Sequence, residues 1–421
     1  MDVTAAALGR PTSVRRRVVG MSFALAVVLY LDRAALSVLA PAIRRDLNIG
    51  PLAMGWVFSA FVGGYALFHI PSGWLGDRFG SRRVLSAIVA LWSAFTALTG
   101  AAWSLGSLLA IRFLFGAAEA GASPNVSRVF AQWIPFSARA SAQGIFFAGM
   151  SGGGALAPPL ATMLLVRFGW RTTFFALGGL GLVWAARWWL WFRDDPAEHA
   201  GVNAAELRLI ASRELSAVDG AVRWGAVLST PNLWAILLMY FTYGYTGYIY
   251  ITWFPSYLIE QRHLTPRLAG ALAALPSLLG LAAKPLGGWF SDRLATARGV
   301  VFGRRAVGMF GFGLAAAAVV PGLLIANPYA AVFLLALADG GAALAHGVCF
   351  ALCLDVGLKR AGTISALMMT AGSIGNAISA LGFGASLQWI GSWNAPFIAG
   401  IAANVAGALL WLKIQPDRKL L

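Results

Sequence analysis

The sequence predicts an all-α integral membrane protein whose twelve transmembrane helices form two six-helix bundles. Of its 421 residues, 11% are charged and 59% are hydrophobic, whereas about 25% of the residues of a soluble protein are charged. A helix of about 20 apolar residues crosses a bilayer, and twelve apolar stretches of that order recur along the chain. These numbers exclude a soluble globular protein. The stretches are residues 18–43, 53–76, 84–105, 107–133, 140–164, 171–192, 232–258, 267–290, 305–326, 328–354, 361–386 and 394–414.

One long polar interval, residues 193–230, separates the sixth apolar stretch from the seventh. The sequence therefore predicts an N-terminal bundle over residues 18–192 and a C-terminal bundle over residues 231–414, joined by a cytoplasmic linker. In the linker, Asn203 is followed three residues later by Glu206, a pattern typical of a helix N-terminus. We expect an amphipathic helix at that point.

Two short tails, residues 1–17 and 415–421, flank the bundles. The first tail ends in three arginines and leads into an apolar run without a cleavage site, which predicts a first span and not a signal peptide. With a cytoplasmic N-terminus, 22 of the 32 Lys and Arg residues lie on the cytoplasmic side and six lie outside. The positive-inside rule then places both termini in the cytoplasm. The net charge of +16 orients the chain and does not indicate a nucleic-acid partner.

A repeated motif supports the division into halves. Residues 71–78 read Pro-Ser-Gly-Trp-Leu-Gly-Asp-Arg and residues 286–293 read Leu-Gly-Gly-Trp-Phe-Ser-Asp-Arg, a shift of 215 residues. An arginine pair follows each copy, at 82–83 and at 304–305. Parallel half-repeats are typical of one large class of secondary transporters, in which the substrate binds near the bilayer midplane.

The first copy of the motif resembles a family signature. Residues 73–83, Gly-Trp-Leu-Gly-Asp-Arg-Phe-Gly-Ser-Arg-Arg, match the form G-x-L-x-D-R-x-G-x-R-R of the major facilitator superfamily. Segments 30–37, 112–121 and 252–258 are similar to its anion:cation symporter branch, which includes galactonate and hexuronate carriers. The resemblance implies the major facilitator fold and transport of an organic anion.

The loop motif suits a charge clamp at the cytoplasmic helix ends. Asp77 can face arginines and the positive end of a neighbouring helix, and the glycines of the motif let helices approach closely. Anchoring by the positive-inside rule alone is the alternative, but it does not explain the repeated aspartate. The resemblance implies control of conformation and not substrate contact. The predicted gating residues are Gly73, Asp77, Arg78, Gly80, Arg82, Arg83, Asp292 and Arg293.

Four charged side chains fall at bilayer depth in the first half. Asp32 and Arg33 lie in the first span, and Arg112 and Glu119 lie in the fourth. A charge at this depth costs ~2.5–3.5 kcal/mol on insertion scales, so each one needs a partner or a wet cavity. Arginine binds a carboxylate with two parallel hydrogen bonds and keeps its charge. A carboxyl group in a partly dry cavity can take up a proton near neutral pH and so release a neighbouring arginine for an incoming anion.

The same four residues could instead form static ion pairs, Asp32 with Arg33 and Arg112 with Glu119. Buried ion pairs stabilise weakly, however, and adjacent residues on a helix point about 100° apart, which argues against that alternative. The resemblance to sugar-acid carriers assigns substrate contact to the two arginines and proton binding to the two acids. It adds three polar substrate contacts: Tyr30, Tyr65 and Asn376.

Other intramembrane polar residues carry weaker signals. Asp339 in the tenth span could contact a gate or pair with Lys284. His69 is interpreted as a packed polar residue. The tyrosine-rich seventh span suggests a hydroxyl-lined extracellular gate. A further group shares one helical face but lacks the third or fourth ligand that a metal site needs, so packing is the better interpretation. That group is His346, Cys349 and Cys353.

The sequence thus predicts a proton-coupled symporter of a small organic anion, a carboxylate such as a sugar acid, that works by alternating access. An anion exchanger or exporter without net proton coupling is the first alternative, and a non-transporting receptor or scaffold is the second. We expect no enzyme, because no catalytic arrangement falls at membrane depth. We also expect no cofactor or metal beyond the coupling protons, no nucleic-acid partner and a monomer. The excess of 28 Arg over 4 Lys fits a GC-rich bacterial genome and hence the inner membrane.

Overall fold

The computed structural model describes residues 11–135, 138–210, 228–357 and 361–418. Within helices, no side chain is described at positions 70, 73, 74, 77, 139–141, 354 and 361–363. The predicted gating positions Gly73 and Asp77 therefore lie outside the described side chains. The same holds for residues 1–10 of the N-terminal tail, for residues 211–227 of the linker and for the last three residues.

The described chain is helical and contains no strand, as the sequence predicts. A short helical turn, Phe254–Ser256, and a π turn, Tyr257–Gln261, directly follow the helix Pro231–Thr252. The helices are α1 Val14–Asp46, α2 Pro51–Phe79, α3 Ser81–Gly100, α4 Leu105–Glu119, α5 Ala122–Trp133, α6 Arg139–Trp191, α7 Ala204–Ile210, α8 Pro231–Thr252, α9 Pro266–Leu272, α10 Leu275–Arg298, α11 Val300–Leu324, α12 Pro328–Gly357, α13 Ala361–Trp389 and α14 Ala395–Lys413.

Ten helical segments of the described chain are long and apolar enough to cross a membrane. Two features explain why this number is below the predicted twelve. Within α6, the predicted fifth and sixth spans are two helices that meet without a gap at Gly169, whose φ of 80° is not helical and favours glycine, so together they form one of the ten segments. The α8 helix carries five tyrosines, which make it less apolar than the ten. Twelve crossings and two cytoplasmic termini stay predictions.

The chain forms two compact units, and each is assembled from separate segments. Unit 1 comprises Met1–Arg33, Gly63–Gly154 and Arg167–Ala217, whereas unit 2 comprises Ala34–Val62, Ala155–Val166 and Val218–Leu421. Three helices, α1, α2 and α6, therefore contribute to both units. The sequence divides the chain at the linker, but these units follow packing rather than chain order.

Glycines bring the helices of unit 1 close together. A Cβ atom at Gly149 of α6 would lie 2.6 Å from the carbonyl oxygen of Phe23 in α1. Gly64 of α2 faces the backbone of Phe113 in α4 in the same way. Small residues allow such close helix packing in membranes. These contacts fix α1, α2 and α4 around the charged residues described below.

In unit 2, the first part of α2 packs on α13. A Cβ atom at Gly55 would lie 2.8 Å from the carbonyl oxygen of Ala380, and the Ser59 hydroxyl donates to the carbonyl of Ala377 at 3.0 Å. An ion pair also joins α1 to the π turn after α8. Arg44 Nη1 donates to both carboxylate oxygens of Glu260, at 2.9 and 3.1 Å. Segments from both sides of the linker thus pack within one unit.

The linker is attached to the start of α1 inside unit 1. The Asn203 side chain accepts the Glu206 N–H at 2.9 Å, which confirms the predicted helix start. The fully buried Glu206 carboxylate accepts the backbone N–H groups of Val14 and Arg15, at 3.2 and 3.1 Å, and also pairs with the Arg15 guanidinium. A carboxylate at this position satisfies free N–H groups and the positive end of the α1 dipole.

Candidate functional site

Unit 1 brings the four predicted intramembrane charges together. Asp32 and Arg112 are 1% exposed and Glu119 is fully buried, whereas the Arg33 side chain is 18% exposed. Asp32 and Arg33 are adjacent in α1. Arg112 and Glu119 lie close to two turns apart in α4. One cluster therefore contains two guanidinium groups and two carboxyl groups.

The most direct contact in this cluster joins Arg33 to Glu119. Nε of Arg33 donates to Oε1 of Glu119 at 2.8 Å, and Nη2 donates to the same oxygen. The rings of Tyr30 and Tyr65 lie 5.2 and 5.0 Å from the guanidinium carbon, within the range of a cation–π interaction. Oε2 of Glu119 is buried and makes no hydrogen bond within the described chain. The pair thus leaves one carboxylate oxygen open.

Asp32 occupies the second half of the cluster. Its nearest polar neighbours are Arg112 and Glu119, together with Trp92 and Thr96 of α3. Among the described residues, neither Asp32 oxygen meets hydrogen-bond geometry, and the same is true of the Trp92 indole N–H and the Thr96 hydroxyl. Buried polar atoms without partners are costly and uncommon. The cluster therefore contains several buried polar atoms whose hydrogen bonds the described side chains do not complete.

The ion pairing crosses between helices. Arg33 of α1 holds Glu119 of α4, and Asp32 of α1 faces Arg112 of α4. The alternative drawn from the sequence has each pair within one span, whereas the contact of Arg33 with Glu119 joins two spans. Adjacent helical residues point about 100° apart, so Asp32 and Arg33 meet different parts of α4.

The fourth predicted span passes this cluster as one segment, Leu105–Trp133, made of α4 and α5. At the junction, Ala120 and Gly121 keep right-handed helical backbone angles. The carbonyl of Ala120 lies beside the ring of His69, a residue of α2. The His69 ring in turn lies 5.4 Å from the ring of Tyr65.

The family follows from a match over most of the chain. A model of the Major Facilitator Superfamily matches residues 22–380. The chain belongs to the Major Facilitator Superfamily. It is therefore a member of a family of membrane transporters and not of an enzyme family.

Several relatives in this superfamily are named for acidic substrates. The chain is 34% identical to a probable sulfoacetate transporter of Cupriavidus necator, over 96% of this chain and 94% of the relative. It is 32% identical to a probable galactarate/D-glucarate transporter of Bacillus subtilis, over 96% and 92%. A hexuronate transporter of Bacillus subtilis is 34% identical over 68% of this chain and 67% of its own. These similarities bear out the resemblance to organic-anion carriers.

Solved structures support the fold. A D-xylose-proton symporter is similar with a TM-score of 0.76 at 15% identity, over 96% of this chain and 98% of that one. A bacterial homolog of the human lysosomal transporter Spinster gives a TM-score of 0.73 at 19% identity, over 95% and 94%. At these identities the likeness concerns the superfamily fold alone.

The superfamily loop motif lies at the junction of α2 and α3. Gly80 has φ 83°, a left-handed conformation that favours glycine, and it lets the two helices meet in a sharp turn. The N–H of Arg82 donates to Asp194 at 2.9 Å, and its Nε donates to the carbonyl of Trp189 at 2.9 Å. Arg78 and Arg83 are exposed. The motif arginine Arg82 is thus tied to the end of α6 and the start of the linker.

The second copy of the motif contains a denser ion network in unit 2. Arg304 Nη1 donates to Asp292 at 2.6 Å and to the Ser291 hydroxyl at 3.0 Å, and its Nε donates to Asp355 at 2.8 Å. Asp292 is 69% exposed at its side chain. The guanidinium carbon of Arg293 lies 5.4 Å from the Trp289 ring. The predicted gating role of these residues stays a prediction.

Asn376 lies in unit 2, and its side-chain amide donates hydrogen bonds to backbone carbonyls. In the orientation that satisfies its hydrogen bonds, the amide nitrogen donates to the carbonyls of Gly372 at 3.2 Å and Gly244 at 3.0 Å. This contact joins α13 to α8. Substrate contact by Asn376 stays a prediction.

The other weak sequence signals also fall in unit 2. Asp339 faces Tyr250 and Lys284, and the His346 ring lies 5.3 Å from the Tyr243 ring. Cys349 and Cys353 are free and buried, and each sulfur lies near a methionine sulfur. No group of three potential metal ligands occurs among the described residues.

Trp92, Thr96 and His69 lie beside this cluster but are not among the predicted site residues. The sequence signal for the first two is a polar face on α3, where Ser86, Ser93 and Thr96 are buried in an apolar span. The sequence indicates packing for His69, because its contact with Ala120 depends on how α2 and α4 are rotated toward each other.

Proposed function

We propose that the protein is a secondary active transporter that carries a small organic anion, a carboxylate, together with protons, by alternating access. The observation that carries this proposal is the Arg33–Glu119 pair, whose guanidinium is flanked by Tyr30 and Tyr65. Its arginine suits an anionic group, and its acid can be displaced.

The chemistry of the pair explains coupling. An incoming carboxylate that takes the Arg33 N–H groups must displace Oε1 of Glu119. Glu119 is fully buried, so a charged and unpaired carboxylate in its place would be costly. A proton from water that forms an O–H bond on Glu119 removes this cost. Anion binding and proton binding then favour each other, and both leave together when the site opens to the other side.

Asp32 and Arg112 offer a second copy of the same arrangement. Both are buried, and Arg112 lies over the Phe115 ring at 4.1 Å, which keeps its guanidinium in a fixed plane. Protonation of Asp32 would make the Arg112 charge available to the anion. Two coupled pairs favour uptake of more than one proton, since each arginine is released by its own acid.

The names of the relatives support the substrate class. Sulfoacetate, galactarate, D-glucarate and the hexuronates are all small acids with a carboxylate group. The hydroxyl groups of Tyr30 and Tyr65 beside the guanidinium suit hydrogen bonds to a hydroxylated chain. We therefore infer a sugar acid or a comparable short acid as substrate of a bacterial inner-membrane carrier.

The test is uptake into proteoliposomes that contain the purified full chain. Radiolabelled D-glucarate, D-glucuronate and sulfoacetate are offered with and without an inward proton gradient. We expect the gradient to drive accumulation of at least one of them in the wild type. Glu119→Gln should bind and exchange the anion but accumulate less of it than the wild type. Accumulation by Glu119→Gln equal to that of the wild type would contradict the proposal, with Glu260→Gln as the matched acid-to-amide control.

Exchange without net proton movement is the second candidate. It is favoured by the ion pair of Arg33 with Glu119, because a charged Glu119 can neutralise Arg33 between two anions and no proton has to move. Exchange predicts that anion loaded inside the vesicles stimulates uptake and that a pH gradient leaves the uptake rate unchanged. Stimulation by the gradient in empty vesicles selects symport.

A further inference from the structure

His69 is a partly buried base that the transport cycle above does not use. It lies on α2, one turn after Tyr65, and the two rings are 5.4 Å apart. Within the described chain, Nδ1 of His69 is buried and makes no hydrogen bond. An imidazole nitrogen without a donor facing it is an acceptor with room for a proton. A ring held only for packing does not require this open nitrogen.

The surroundings of His69 connect it to the charged pair. The carbonyl beside its ring belongs to Ala120, which directly follows Glu119 at the junction of α4 and α5. The neighbouring charge is Arg33 of α1, and Tyr65 on α2 touches both groups through its ring. The groups that face His69 are therefore Tyr65 from its own helix, Arg33 from α1 and the Ala120 carbonyl from the α4–α5 junction.

His69 lies near the charge of Arg33, and the net charge around Arg33 changes when an anion binds. While Glu119 holds Arg33, the pair is neutral overall. When an anion takes Arg33 and Glu119 is still charged, the cluster gains one negative charge. A nearby negative charge favours the protonated imidazole. Glu119 and His69 are then two bases that compete for the proton that balances the anion.

We propose that His69 takes up a coupling proton when an anion binds to Arg33, as a second proton acceptor beside Glu119. This rests on the proposed anion and proton symport. The proton comes from water and forms an N–H bond at the imidazole, and no bond within the anion changes. Ala120 directly follows Glu119, and its carbonyl lies beside His69. A proton on Glu119 and a proton on His69 are therefore both held near the junction of α4 and α5.

The test is calorimetric titration of the purified full chain with sulfoacetate and D-glucarate. Titrations in two buffers of different ionisation enthalpy, from about pH 6 to pH 8, give the affinity and the number of protons taken up per anion. We expect the wild type to take up protons and its affinity to fall by up to about tenfold per pH unit for each proton taken up. Glu119→Gln should retain proton uptake in this range, which includes the ordinary titration range of histidine near ~6.5.

His69→Gln keeps a polar side chain but cannot bind the proton, and it should take up fewer protons per anion than the wild type between pH 6 and pH 8 while it still binds the anion at pH 6. His346→Gln in unit 2 is the matched control and should keep the wild-type proton number. Proton uptake by His69→Gln equal to that of the wild type would overturn the proposal.

The two proposals fail in different ways. Anion binding by the wild type with no proton uptake at any pH would overturn both. Proton uptake by the wild type that vanishes entirely in Glu119→Gln would overturn the role of His69 and leave symport intact. This last comparison uses a chain with an intact His69, so it decides the matter even if His69→Gln does not fold.

Discussion

The molecule contains two clusters of arginine and acid that differ in how fully their polar atoms are satisfied. In unit 2, Arg304 binds Asp292, Asp355 and Ser291 at 2.6–3.0 Å, and none of the acid oxygens is buried without a partner. In unit 1, three oxygens of Asp32 and Glu119 are buried without a partner within the described chain. A satisfied network suits a clamp that holds a conformation, whereas open oxygens suit a site that waits for a proton or a ligand.

The largest expected effect tests the unit 1 cluster. Arg33→Ala should abolish anion binding and destabilise the fold by about 3–5 kcal/mol, because it leaves Glu119 buried and unpaired. The double variant Arg33→Ala, Glu119→Ala should regain most of that stability, since no charge stays unpaired, but it should not regain binding. Thermal melting and titration of both variants provide the measurement. Normal affinity in Arg33→Ala would contradict the anion site.

A smaller effect is expected at the unit 2 network. Arg304→Ala should destabilise by about 1–3 kcal/mol, because two acids and the Ser291 hydroxyl lose their partner. It should slow transport while anion affinity stays within about twofold, since the network suits a clamp and not a binding site. Parallel measurement of uptake rate and binding separates the two effects. A large loss of affinity with an unchanged uptake rate at saturation would reverse the comparison between the clusters.

A third ion pair, Arg44 with Glu260, is partly exposed to solvent and tests how much burial contributes to the strength of such pairs. The Arg44–Glu260 pair has side chains that are 16% and 32% exposed, so water competes for its hydrogen bonds. Removing it by Glu260→Gln should change stability by about 1 kcal/mol or less, and less still at high salt. A double-mutant cycle with Arg44→Gln, run at low and high salt, measures the coupling. A coupling as large as that of Arg33 with Glu119 would show that burial is not the deciding factor.

The smallest effect is expected at His199, a residue of the linker whose ring is already hydrogen-bonded. Burial lowers the pKa of His199, and Arg193 adds to the shift. Its Nδ1 accepts the Gly201 N–H at 3.1 Å, and its ring lies edge-on to Trp133 and Trp191. Because the pKa in the folded state is below the unfolded value, the contribution to stability is present above about pH 6.5 and is lost as the pH falls.

Melting of the wild type and of His199→Phe at pH 7.5 and pH 5.5 checks this sign. Acidification should lower the melting temperature of the wild type more than that of the variant, by about 2 °C or less. An equal drop in both proteins would remove His199 as the cause.

Much of the fold and of the cluster follows from residue order alone. Hydropathy predicts where the helices lie, and the cost of a charge in the bilayer singles out Asp32, Arg33, Arg112 and Glu119. The partners of these charges do not follow, because they depend on how α1 and α4 are rotated toward each other. The spacing along each helix argues against pairs within one span but does not select the partner, and the structure pairs Arg33 with Glu119 across two spans.

Residues without charge are harder to assign. Trp92 and Thr96 join the site only because α3 packs beside α1, and one polar residue in an apolar span has no distinctive spacing. In each case, tertiary packing decides what local sequence leaves open.

The attachment of Glu206 to the start of α1 has a consequence for synthesis. The free N–H groups of Val14 and Arg15 are capped by a side chain that follows them by about 190 residues. A ribosome that has released only the first six predicted spans has not yet supplied this cap. The first helix therefore completes its N-terminus after the linker has emerged, and an isolated N-terminal fragment needs the chain through residue 210 to close it.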